Sequence, residues 1–175
     1  RANTEFALRK NQPDKGIKIK FEELREGLEL QNELNLIESY DVSHHAGKNA
    51  VAGCVVYTDQ GRASKLYRSY NISKSNWGND IGSMIELLER RFSRIKPSDM
   101  PDLIIIDGGK THLKKALQAL QACNIPEANV ISISKGIRRK ANFDTIHLPN
   151  DKSIAIDKTS IFHQFVQEIR DETHR

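Results

Sequence analysis

Apolar and polar positions recur with different periods along the chain, and the changes of period divide it into elements. The first 30 residues are mostly polar and charged, with Phe21, Leu24, Leu28 and Leu30 at near-helical spacing. A short helix over residues 4–10 is expected before a break at Gln12-Pro13-Asp14-Lys15-Gly16. Residues 1–35 read as an arm packing on a main domain of residues 36–175. That domain opens with a strand over 36–41, a turn near Ala46-Gly47-Lys48-Asn49, and a Val- and Tyr-rich strand over 50–59. Gln60-Gly61 then turns the chain into a third antiparallel strand over 62–71. Ile81, Met84, Ile85, Leu88 and Phe92 share one face of a helix over 80–94, and Pro97 and Pro101 end that segment. Leu103-Ile104-Ile105-Ile106-Asp107 is a continuous apolar run, as in a strand buried on both faces. A helix over 111–122 turns Leu113, Ala116, Leu117 and Leu120 inward, and Val130-Ile131-Ser132-Ile133 is a further strand. Residues 135–158 hold short polar and strand-like pieces, and Ser160 caps a last helix reaching His174.

The order is three antiparallel strands, then helix and strand alternating to a final helix. It is the order of a ribonuclease H-like α/β fold, a mixed sheet flanked by helices. In such a sheet the first and fourth strands are neighbours, and ligands gather at the carboxyl ends of strands. Asp41 and Asp107 are expected there, each closing a hydrophobic strand. A carboxylate at such a place is costly to bury unless paired or bound to a metal. Two side by side repel, and a divalent cation removes the repulsion. Either Asp taken alone also fits a turn cap.

Asp107-Gly108-Gly109-Lys110-Thr111 is not a P-loop, because Ile104 stands where that motif needs its first Gly. The Gly pair still lets backbone approach an anion at a helix N-terminus, with Lys110 adding charge. The last helix carries Arg170 and His174 on one face. A lone His at a helix end is also favoured by the negative dipole. His44 and His45 read as turn residues or a local metal pair.

Charge adds a partner class without fixing it. The 175 residues carry a formal net charge of +4, which permits a polyanionic partner but does not require one. Four basic clusters sharpen the picture: Arg62, Lys65 and Arg68; Arg90, Arg91, Arg94 and Lys96; Lys110, Lys114 and Lys115; and Lys135, Arg138, Arg139 and Lys140. They suit a surface that tracks phosphates. Cys54 and Cys123 lack metal-ligand spacing and read as free thiols in a reducing compartment. No stretch approaches the roughly 20 apolar residues of a membrane span, and no leader is visible. A start at Arg1 and an end just past His174 read as a piece of a longer protein.

The segments IESYDVSHHAG, VAGCVVYTDQG, YRSYNI, GNDIGSMIELLERRF, PDLIIIDGGK, ISKGIRRK and IRDETHR, in this order, resemble the C-terminal endonuclease half of the UvrC family. The resemblance runs from about residue 37 to 175, and Arg1-Ala2-Asn3 and Ala7-Leu8 resemble the stretch that precedes it. It implies a ribonuclease H-like fold with a metal-binding catalytic triad of Asp41, Asp107 and His174. It implies a Mg²⁺- or Mn²⁺-dependent endonuclease making the 5′ incision beside a lesion in double-stranded DNA, in a complex with UvrB. The 3′ incision and a DNA-binding tail belong to domains that this sequence does not include. A monomeric fragment, a cytoplasmic location and one well-ordered ion are expected.

On this reading Lys110, Lys135, Arg138, Arg139 and Arg170 meet DNA phosphates. Gly108 and Gly109 bring backbone to the phosphate, and Ser43 and His44 orient Asp41 or its water. The family pattern is departed from at Lys48, where an acidic residue is usual. It is departed from again at Asn79, where Asp is usual, and at Asp144, where Glu is common. Two rivals remain: a catalytically silent DNA-binding module of the same fold, and a nucleotide-binding enzyme built on the Asp107-Gly108-Gly109-Lys110 turn.

Overall fold

The computed structural model describes residues 15–45, 49–136, 144–157 and 159–175. Helix α1 (Lys15–Gly27) precedes strands β1 (Leu36–His44), β2 (Ala50–Thr58), β3 (Gly61–Arg62) and β4 (Arg68–Asn71). Helix α2 (Asp80–Phe92), β5 (Leu103–Asp107), α3 (Lys110–Ala122) and β6 (Val130–Ser134) follow. The hairpin β7 (Thr145–His147) and β8 (Ser153–Ala155) then leads to α4 (Ile161–His174). No described helix is long and apolar enough to cross a membrane.

The strands form one mixed sheet in the order β3-β2-β1-β5-β6-β7-β8, with β4 also on β2. β1 and β2 are antiparallel, and β1, β5 and β6 are mutually parallel neighbours. First and fourth expected strands thus lie side by side, as the element order requires. Side-chain parity then separates two cores. Ile37, Val55, Leu103, Ile105, Ile131 and Ile133 face α1 and α4. Tyr40, Cys54, Val56, Ile104, Ile106 and Val130 face α2 and α3. β5 is apolar at every position before Asp107 because helices cover both of its faces.

Three expectations change. β1 does not end at Asp41: Val42, Ser43 and His44 continue it, paired with Ala52, Val51 and Ala50 of β2. The third strand is two short pieces, because Ser64–Leu66 form a 3-10 turn between them. α1 already includes Lys15 and Gly16, where a break was expected, and it runs to Gly27. Its Ile17, Phe21 and Leu24 are buried in the cluster that holds Phe165 and Val166 of α4. The expected helix over 4–10 lies outside the described residues. Cys54 is buried and Cys123 only partly so, and both are free thiols.

Candidate metal centre and active site

β1 and β5 run in parallel register with Tyr40 across from Ile106 as their last pair. The next residue on each strand is an aspartate. Asp41 shares the parity of Ile37, and Asp107 that of Leu103 and Ile105, so both carboxylates point to the layer of α1 and α4. The last turn of α4 brings His174 to the same place. Its Nδ1 is 3.5 Å from Asp41 Oδ2 and its Nε2 is 3.4 Å from Asp107 Oδ1. One ligand atom from each of the three residues falls within 4.8 Å of the others.

The electrostatics of this cluster favour a cation. Burial pushes the Asp41 carboxyl above its ordinary value, and the charge of Asp107 adds to that against the opposing pull of His174. The N···O separations of 3.4 and 3.5 Å exceed those of charge-assisted hydrogen bonds, about 2.7–2.9 Å. They approach the spacing of donors around one ion, since two ligands each about 2.1 Å from Mg²⁺ stand about 3 Å apart. Two carboxylates with one imidazole suit Mg²⁺ or Mn²⁺, the imidazole tilting the set toward Mn²⁺.

The strand-to-helix turn after Asp107 is built for close approach. Gly108 has φ of 141° and its N–H donates to Ile133 O at 3.0 Å. The ring of His112 packs over it, leaving no room for a side chain. Gly109 is the N-cap of α3 and, lacking a side chain, makes no cap bond to that helix. Lys110, its first residue, is exposed, and Lys135 is exposed just beyond β6. β5 and β6 are parallel, so both lysines stand at the end of the sheet that carries the aspartates. A groove lined by Asp41, Asp80, Met84, Asp107, Gly108 and His112 opens between α2 and α3.

Other expected site residues are held by partners of their own. His44 pairs with Asp80 through Nε2 at 2.6 Å, and its buried Nδ1 has no partner among the described residues. Ser43 donates to Val51 O at 3.4 Å. Arg170 does not project into solvent: it pairs with Asp144 at 3.1 Å, and both side chains are only 13% exposed. Arg138, Arg139 and Lys48 lie outside the described residues.

Sequence reasoning missed a polar network beneath the site. Glu38 is buried on the α2 face of β1, three residues before Asp41, and takes hydrogen bonds of 3.0 and 2.8 Å from Arg91 and one from Tyr40 Oη. An acidic residue inside the apolar run of β1 was its only local signal. Glu172 was missed as well. It accepts from Arg62 at 3.2 Å, Tyr67 Oη at 3.1 Å and Arg175 at 3.0 Å. Burial and Glu172 push the Tyr67 phenol up to about 12.

The profile of the UvrC RNase H endonuclease domain matches residues 25–175. UvrABC system protein C of Pseudomonas fluorescens (strain Pf0-1) is 36% identical over 164 residues, 91% of this chain and 27% of the relative. Its counterpart in Saccharophagus degradans is 37% identical over 158 residues, 89% of this chain and 26% of the relative. The chain therefore spans about a quarter of the length of the curated relatives it matches. Among solved structures, human ENDOV is similar with a TM-score of 0.42 and 18% identity, over 61% of this chain and 48% of that one. A Ciona intestinalis endonuclease V bound to inosine-containing DNA gives 0.40 and 20%, over 88% and 66%. The structural likenesses are distant and add nothing to the assignment that the domain profile and the sequence relatives make: this chain belongs to the UvrC RNase H endonuclease domain family.

Proposed function

We propose that this chain is the catalytic domain of a divalent-metal-dependent DNA endonuclease. It hydrolyses one phosphodiester on the 5′ side of a lesion during nucleotide excision repair. Family membership supports the reaction class, and one observation carries the mechanism: Asp41, Asp107 and His174 offer ligand atoms within 4.8 Å of one another. Mn²⁺ or Mg²⁺ held by these three groups would polarise the scissile phosphate and supply an acidified water for in-line attack.

The protein's own groups set up that reaction. Asp41 and Asp107 come from adjacent strands, so their separation is fixed by sheet register. His174 brings a neutral ligand where a third carboxylate would repel the incoming phosphodiester. The uncapped N-terminus of α3 and the Lys110 ammonium meet the phosphate, and Lys135 continues the positive path. The domain acts as a single copy in the cytoplasm, on damaged duplex DNA presented with UvrB.

The test is nicking of supercoiled plasmid with Mn²⁺, Mg²⁺ or EDTA, comparing the wild-type chain with Asp41→Ala and His174→Ala. Metal-dependent nicking that both variants lose, with circular dichroism unchanged, supports the triad. Nicking that persists in the variants, or in EDTA, rejects it. A lesion-bearing duplex incubated with UvrB and the full-length protein then tests the incision site.

A further inference from the structure

Two ligands of the proposed centre sit on strands, where hydrogen bonding fixes them. The third, His174, sits at the very end of a helix, where backbone carbonyls lack partners and the last turn frays. The apolar seat of α4 is Phe162, Phe165, Val166 and Ile169, and it stops a full turn short of His174. Beyond Ile169 no apolar side chain of α4 is left to hold residues 170–174 down.

Polar side chains do so instead, each reaching a different part of the sheet layer. Arg170 pairs with Asp144, next to β7, at 3.1 Å. Glu172, only 10% exposed, bonds Arg62 of β3 at 3.2 Å and Tyr67, before β4, at 3.1 Å. The Thr173 hydroxyl meets that of buried Ser39 at 2.8 Å. Ser39 and Asp41 share one face of β1, so Thr173 lies over one as His174 lies over the other. Three separate tethers fix both the height and the rotation of the last turn.

We propose that Arg170, Glu172 and Thr173, through Asp144, Arg62, Tyr67 and Ser39, are positioning residues that hold His174 over Asp41 and Asp107. This rests on the metal-centre reading above. It gives Arg170 an internal role, and it explains Asp144 as the acidic partner of that arginine. Supporting groups behind metal ligands typically alter metal affinity about 10–100-fold when removed.

The test is Mn²⁺ affinity of the metal-free chain, read by electron paramagnetic resonance, beside its thermal midpoint in EDTA. Glu172→Gln and Asp144→Asn are each expected to weaken Mn²⁺ binding by about tenfold. Asp144→Glu, which keeps the charge for Arg170, should recover most of the affinity. A purely structural role would lower the midpoint and leave affinity at the wild-type value, and that result overturns the proposal. Should Glu172→Gln fail to fold, Arg62→Gln decides, because Arg62 is 55% exposed and its loss does not threaten the core. Asp41→Ala separates the two readings. If it also binds Mn²⁺ normally, the metal centre is wrong and the positioning claim falls with it. If only Asp41→Ala loses binding, the centre stands and the tethers are overturned.

Discussion

Ile106 lies directly across from Tyr40, and that single pairing sets Asp107 beside Asp41. Beyond it β5 stops while β1 runs on along β2, so the carboxylates emerge together at the open end of the parallel pair. Without a cation they repel, and burial adds to the strain on Asp41. Neutralising one should therefore stabilise the metal-free chain. Asp41→Asn is expected to raise the midpoint in EDTA by a few degrees, about 1 kcal/mol. Mn²⁺ at a hundredfold excess over its dissociation constant should stabilise the wild-type chain by about 2.7 kcal/mol. The Asn variant should respond far less. Calorimetry with and without Mn²⁺ checks both, and an Asn variant that melts lower in EDTA contradicts the repulsion.

Arg91 belongs to a basic cluster that the sequence suggests for phosphate tracking, yet its guanidinium is committed to Glu38. The carboxylate is 1% exposed and Arg68, 3.9 Å away, is its other cation. Removing Arg91 strands a buried charge, and that costs about 3 kcal/mol. Arg91→Ala is expected to lose about that much by urea unfolding. Arg91→Met with Glu38→Gln should recover part of it, because no bare charge is then buried. Equal loss in the single and double variants would show that side-chain packing, not charge pairing, is what Arg91 contributes.

The chain's own pattern reveals those parts of the fold whose cause is local. Leu103–Asp107 reads as a doubly covered strand because every residue before Asp107 is apolar. Ser160 reads as a cap, and its hydroxyl does accept from His163 N. The extension of β1 through Val42-Ser43-His44 was not visible, because only β2 holds it and two of its three residues are polar. The same limit applies to the site. Asp41 and Asp107 follow from strand ends and topology, whereas His174 taken alone looks like any helix-end histidine, and family resemblance singled it out. Arg170 looked like a DNA contact because a charge on a last helical turn ordinarily meets water. Glu172 and Arg62 are separated by 110 residues, and no local rule couples them.

The turn after β5 makes two neighbouring glycines unequal. Gly108 holds φ of 141°, and an added Cβ would stand 2.3 Å from the His112 ring. Gly109 has an ordinary φ of −92°, with no atom of the described residues within 4 Å of an added Cβ. Gly108→Ala is expected to cost about 1–3 kcal/mol and to reduce nicking, since strain there moves Asp107. Gly109→Ala should cost under about 1 kcal/mol. Thermal melts of the pair decide it, and equal losses would reject the strain argument.

His147 supplies a pH dependence. Its Nε2 meets Ser134 Oγ at 2.7 Å, and burial, helped by the charge of Lys110, lowers its pKa below 6.5. The unfolded chain then binds the proton more readily than the folded one. Stability from this group is complete above pH about 6.5 and is lost as pH falls through the lower folded value. Melting His147→Gln beside wild type between pH 8 and 5 isolates it from the other histidines. The variant should lose less stability on acidification, and parallel curves would show that His147 contributes nothing.

The segment before β1 can be judged by what it covers. Leu24 is fully buried in α1, and Phe21 lies 5.5 Å from Phe165 of α4, ring centre to ring centre. Lys20 and Glu168 close the outer edge of this contact at 2.9 Å. α4 carries His174 at its end, so α1 supports the helix that supplies the proposed third ligand. Leu24→Ala is expected to cost about 3 kcal/mol in one cooperative transition, as for a residue of the main core. Deleting residues 1–35 exposes Phe165 and should abolish cooperative melting and weaken Mn²⁺ binding together. An arm that only rests on the surface predicts the opposite: Leu24→Ala nearly silent, and residues 36–175 melting and binding metal like the whole chain.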